Sequence, residues 1–110
     1  MQNNKILSML GLAMKAGRVK SGAFQTEDAV KSGKARIVIV ACDASDNTKK
    51  DFRDMCSFYT VPFWEYSTKD ELGRAIGKEE RSSIAVCDEG FSKTLLKYRD
   101  ELSTNGKVSE

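Results

Sequence analysis

The chain has 110 residues, 40% hydrophobic and 31% charged, a composition that suits a folded soluble protein and argues against disorder. Lys and Arg number 18, Asp and Glu 16, so the formal net charge of +2 excludes a strongly basic nucleic-acid tail. Histidine is absent, which removes Ser-His, Cys-His and His-metal chemistry.

From the N-terminus, Ile6, Leu10, Ala13 and Met14 recur at helical spacing, with Asn3 or Asn4 as the cap and Gly17 as the stop. Gly11 inside this helix implies close packing against a neighbour. Arg18–Lys20 is predicted as a short strand and Phe24–Ser32 as a second helix, stopped by Gly33. The nearly continuous Ile and Val of Ala35–Cys42 read as a strand buried on both faces. Asp43, Ser45 or Asp46 can cap a third helix over Asn47–Tyr59, which Pro62 ends. Val61–Tyr66 is an aromatic-rich strand with Pro62 at its start, a place that strands tolerate. Thr68 to Glu71 forms a capping box for a short helix to Ile76. A buried strand over Ser83–Cys87 and a helix over Glu89–Leu102 follow. Helix and strand alternate without a linker, which implies an α/β layered sheet. One α/β domain over residues 1–103 and a polar tail over 104–110 are expected.

Cys42, Cys56 and Cys87 are too widely spaced for a zinc knuckle or a redox pair, and an odd count is no disulfide framework. They read as reduced thiols in a cytoplasmic protein. The basic residues after the first apolar stretch do not fit a signal peptide. The longest apolar run, Ile37–Cys42, is too short to span a bilayer. Cys42-Asp43 and Cys87-Asp88 both stand at strand ends, where ligands of open α/β sheets gather. With no His to act as base, each pair reads as a buried Cys followed by an Asp cap rather than as a nucleophile. Gly73-Arg74-Ala75-Ile76-Gly77-Lys78 is one residue short of a phosphate-binding loop, and Glu79 stands where Ser or Thr must follow. A catalytic role, a metal and a cofactor are therefore not expected.

Charge placement says more than charge total. Residues 1–37 hold seven basic residues against two acidic, a net +5, and the remaining 73 hold 11 against 14, a net −3. If the ends of these elements converge, Lys15, Arg18, Lys20, Lys31, Lys34 and Arg36 form one basic face that attracts phosphates. The turn Lys20-Ser21-Gly22-Ala23-Phe24-Gln25 opens a helix, and helix N-termini point N–H groups at anions. Gln25 can pair with a base edge and Phe24 can stack on a base if exposed. Pattern alone favours the plainer reading, in which Phe24 packs in the core.

Several stretches, in order over about residues 6 to 96, resemble the ribosomal L7Ae superfamily, and most closely its small bacterial YlxQ-type ribosomal members. They are Leu10-Gly11-Leu12-Ala13, Lys15-Ala16-Gly17-Arg18-Val19, Ser21-Gly22, Ala35-Arg36-Ile37-Val38-Ile39-Val40 and Asp43-Ala44-Ser45. Asn47-Thr48, Val61-Pro62, Leu72-Gly73-Arg74-Ala75-Ile76-Gly77-Lys78 and Val86-Cys87-Asp88-Glu89-Gly90-Phe91 continue the series. The resemblance implies a three-layer α-β-α sandwich with a mixed central sheet of about four strands. It implies a non-enzymatic RNA-binding protein whose partner is structured, kink-turn-like or ribosomal RNA. It places the RNA site on Gly22 through Asp28 and on Ile76 through Ser83. The family's junction motif, Gly-x-Asn-Glu-x-x-Lys, is matched at Gly22 and keeps an amide at Gln25, and departs at Phe24 and Asp28. The expected RNA-binding residues are Lys20, Gly22, Phe24, Gln25, Lys31, Lys34, Arg36, Lys78 and Arg81. The alternative is a protein-interaction module of the ribosome or transcription–translation machinery, with RNA contact weak or lost and with Phe63, Trp64 and Tyr66 as an aromatic patch.

Overall fold

The computed structural model describes residues 4–108, with side chains described for residues 5–102. Asn3, one of the two cap candidates, and the side chains of the expected tail lie outside the described residues. The elements run α1 (Asn4–Lys15), β1 (Val19–Ser21), α2 (Ala23–Lys31), β2 (Ile37–Val40), α3 (Asp46–Tyr59), β3 (Phe63–Glu65), α4 (Lys69–Ala75), β4 (Ser83–Val86) and α5 (Glu89–Val108).

The four strands form one sheet in the order β1-β4-β2-β3. β4 is antiparallel to both β1 and β2, with Val19 and Ile37 each opposite Val86. β2 and β3 are parallel, with Val38 opposite Phe63, as a strand pair joined by a crossover helix must be. The sheet is therefore mixed. α2 packs on β1, β4 and α3, while α1 packs on α4 and α5. Helices cover both faces, giving the expected three layers.

Every residue of β2 and β4 is buried. Both strands are central, so both of their faces meet helices, and an unbroken apolar run is what such a strand needs. β1 and β3 are edge strands with partly exposed residues. The core joins Ile37, Ile39, Ile84 and Val86 of the sheet to Ile6, Leu10, Leu72 and Leu95 of the helices. Gly11 meets α4 closely: a Cβ there would lie 2.9 Å from the Ala75 carbonyl oxygen, the close neighbour that its place in a helix implies.

The caps are resolved by hydrogen bonds. Ser45 caps α3, its Oγ accepting from Thr48 N at 3.1 Å. Thr68 Oγ1 accepts from Glu71 N at 3.1 Å at the start of α4. The Glu71 carboxylate accepts from Ser67 Oγ at 2.6 Å, so it serves the residue before the cap. Asp88 caps α5 by accepting from Phe91 N at 2.9 Å. Asp43 instead accepts from Lys69 N at 2.8 Å, tying the β2–α3 loop to the start of α4.

Candidate nucleic-acid interface

β1, β2 and β3 all end on one side of the sheet, and β4 begins there. The loops that follow or precede them meet at that end. Gly22 N donates to Ser83 O at 3.0 Å, and Ala41 N donates to Ser82 O at 2.9 Å. Cys42 N donates to Ser67 O at 2.8 Å, and Arg81 N to Lys69 O at 3.1 Å. Below them the buried Ser83 Oγ donates to Thr26 Oγ1 at 3.3 Å. The β1–α2 junction and the α4–β4 loop, more than fifty residues apart in sequence, are thus one surface.

Gly22 sits at φ 90°, ψ 159°, a backbone conformation essentially reserved for glycine. Without a side chain it supplies no acceptor to the first turn of α2. The starts of α3, α4 and α5 each receive a side-chain cap. Of these four helices, α2 is the one whose first turn receives no side-chain cap, and such a helix start favours an anion.

Phe24 follows on that first turn and is 81% exposed. This corrects the expectation that it packs in the core. The buried face of α2 is carried by Thr26, Ala29 and Val30. Phe24 lies two residues before Thr26, about 200° round the helix, so its ring points away from the sheet. Gln25 beside it is exposed too.

Arg81 is half-buried and holds the two segments together. Its Nε donates to Ser21 Oγ at 3.2 Å, and its Nη1 donates to the Glu80 carbonyl at 2.9 Å. Neither bond uses Nη2, which retains donors for a ligand. Lys78, on the same loop, is exposed. Lys69 is a further cation at this end, brought there by its backbone bonds to Asp43 and Arg81. Sequence reasoning missed it, because only the pairing of the loops puts it beside the junction.

The other expected site residues do not join this surface. Lys31 lies two turns along α2 and pairs with Glu27 at 2.6 Å. That carboxylate raises the lysine's pKa, first by its hydrogen bond and then by its charge. Arg36 N donates to Val86 O at 2.8 Å, which sets Arg36 and the nearby Lys34 at the far end of β4. Lys20 lies between the two ends, exposed on the edge strand β1. The single basic face expected from charge placement is therefore divided.

The aromatic patch expected on β3 does not form. Tyr66 is buried at 8% exposure and packs against Trp64, with ring centroids 4.5 Å apart. Phe63 and Trp64 are half-buried. Of the two strand-end thiols expected to be buried, Cys42 is exposed and Cys87 half-buried, while Cys56 on α3 is buried. Burial pushes the Cys56 thiol up to about 11, far from the range of a nucleophile. Among the described residues, no cluster of acidic or Cys side chains could hold a metal ion. Among those same residues, no helix is long and apolar enough to cross a membrane.

The family model described as ribosomal protein L7Ae/L30e/S12e/Gadd45 matches residues 4–96. RNA-binding protein YlxQ of Bacillus subtilis (strain 168) is 39% identical over 92 residues, covering 84% of this chain and 92% of the relative. RNA-binding protein YlxQ of Enterococcus faecium is 42% identical over 89 residues, covering 81% and 85%. A solved structure of a protein with unknown function from Bacillus halodurans C superposes with a TM-score of 0.82 at 42% identity, covering 86% of this chain and 95% of that one. The Giardia lamblia 15.5kD RNA binding protein shares the fold at a TM-score of 0.77 and 21% identity, over 93% and 88% of the two chains.

Proposed function

Because the chain belongs to the ribosomal protein L7Ae/L30e/S12e/Gadd45 family, we propose that it is a non-enzymatic RNA-binding protein whose site is the junction of β1 and α2 with the α4–β4 loop. The names of the two YlxQ relatives support RNA as the ligand. The observation that carries the reading is Phe24, a ring 81% exposed beside a helix N-terminus that lacks a side-chain cap. Leaving a Phe in water forgoes about 1.5–3 kcal/mol of burial, and stacking on an unpaired base recovers energy of that order.

The parts divide the work. Gly22 lets the backbone approach, and the N–H groups of Ala23 and Phe24 meet a phosphate. Phe24 stacks on a splayed base and Gln25 reads a base edge. Arg81 positions the second loop, and Lys78 and Lys69 contact backbone phosphates. This combination suits a structured RNA with unstacked bases, such as a kink-turn, better than an unbroken helix. Asp28, exposed where the family motif carries Lys, disfavours a phosphate one turn further along α2. The bound strand therefore stays at the first turn.

A salt titration tests the proposal. A kink-turn hairpin is expected to bind more tightly than an unbroken duplex of equal length. The slope of log affinity against log salt should be about −0.7 to −0.9 per phosphate contact. Equal affinity for the two RNAs, or no binding at low salt, rejects it.

A further inference from the structure

The cations that the fold keeps away from the junction form a cluster of their own. Lys20, Lys34 and Arg36 surround Cys87, the residue after β4. Arg36 N bonds to Val86 O at 2.8 Å and Cys87 N to Arg18 O at 2.7 Å. Lys20 stands opposite Ala85, which shares a sheet face with Cys87. Burial raises the pKa of the Cys87 thiol, and Lys20, Lys34 and Arg36 all act to lower it, as cations close around it must.

All three cations are exposed. No carboxylate forms a salt bridge with any of them among the described residues, whereas Arg18, Lys31 and all three cations of α3 do pair. An acid at this end is Asp88, the residue after Cys87. It is occupied by Phe91 N at 2.9 Å and by Arg18 Nε at 3.8 Å. Nor does the end of α2 need these charges, since Lys31 already stands in its last turn. Like charges gathered without a counter-charge repel one another and favour an anionic partner. Their open placement suits a row of phosphates rather than one enclosed ion.

The cluster and the junction lie at opposite ends of β4 but on the same face of the sheet, the one that α2 covers. Nine residues of helix span about 13 Å, and Lys20 stands between the two ends. From this placement we infer that Lys20, Lys34 and Arg36 form a second RNA-backbone face, which holds the helix continuing from the RNA bound at the junction. This rests on the RNA-binding reading of the junction and extends it.

The test compares two kink-turn RNAs, one with minimal stems and one with both stems a helical turn longer. Wild-type protein is measured beside the triple variant Lys20→Gln, Lys34→Gln, Arg36→Gln, with circular dichroism as the control for folding. The variant is expected to lower the salt slope on the long RNA by about 2 to 3 units, at 0.7–0.9 per lost contact. Its slope on the short RNA should not change. An unchanged slope on the long RNA overturns the inference. So does an equal fall on both RNAs, which would mark a general field rather than a second contact. Wild-type protein that binds neither RNA removes the junction reading and this inference with it, and so differs from failure of the second face alone.

Discussion

Phe24 and Tyr66 exchange the places that their neighbourhoods in the sequence suggest. Phe24 is bare, while Tyr66 is covered and its hydroxyl has no hydrogen-bond partner within the described protein. Burial, followed by the negative charge of Glu71, pushes the Tyr66 pKa up to about 12. A buried hydroxyl without a partner costs about 1–3 kcal/mol in desolvation. Tyr66→Phe is therefore expected to leave stability unchanged or raise it by about 1 kcal/mol, as read by urea unfolding. A loss above about 1 kcal/mol would show that the hydroxyl is satisfied. Neither placement was legible in the sequence. Phe24 belongs to a short helix whose three buried residues, Thr26, Ala29 and Val30, are small enough to leave the helical face ambiguous. Tyr66 follows an edge strand, where either face can be the covered one.

At the scale of elements, the central strands were the most legible part. Ile37–Val40 and Ser83–Val86 are buried throughout, and an apolar run bounded by charged residues announces this in any sequence. Caps were legible as types more than as positions: Ser45 serves α3 while the equally plausible Asp43 bonds across to α4. The use of Gly73 was not legible. The glycine-rich run beginning there, which resembles a truncated phosphate loop, is the end of α4 folded against its own loop. A Cβ at Gly73 would collide with the Glu79 backbone, and Lys78 N donates to Gly73 O at 2.8 Å. Gly73→Ala is expected to destabilise the protein by about 1–3 kcal/mol through overpacking. It should also weaken RNA binding more than stability alone explains, because it moves the loop that carries Lys78 and Arg81. Unchanged urea unfolding would contradict the close approach.

For the whole molecule, strand order decides what charge counting cannot. The basic segment of residues 1–37 contributes to both ends of the sheet, because β1 runs into the junction and α2 runs back from it to the far end of β4, where Lys34 and Arg36 stand. Its +5 is real, but only part of it faces the proposed RNA site. The family resemblance suggested the location of that proposed site, and the hydrogen bonds from Gly22 to Ser83 and from Arg81 to Ser21 hold its two segments together. The most direct measurement of the central claim is amide chemical-shift mapping of labelled protein titrated with a kink-turn RNA. The largest shifts are expected at Gly22–Thr26 and Gly77–Ser83. Shifts confined to β3 and the C-terminal end of α3, around the exposed Phe58 and Tyr59, would contradict it.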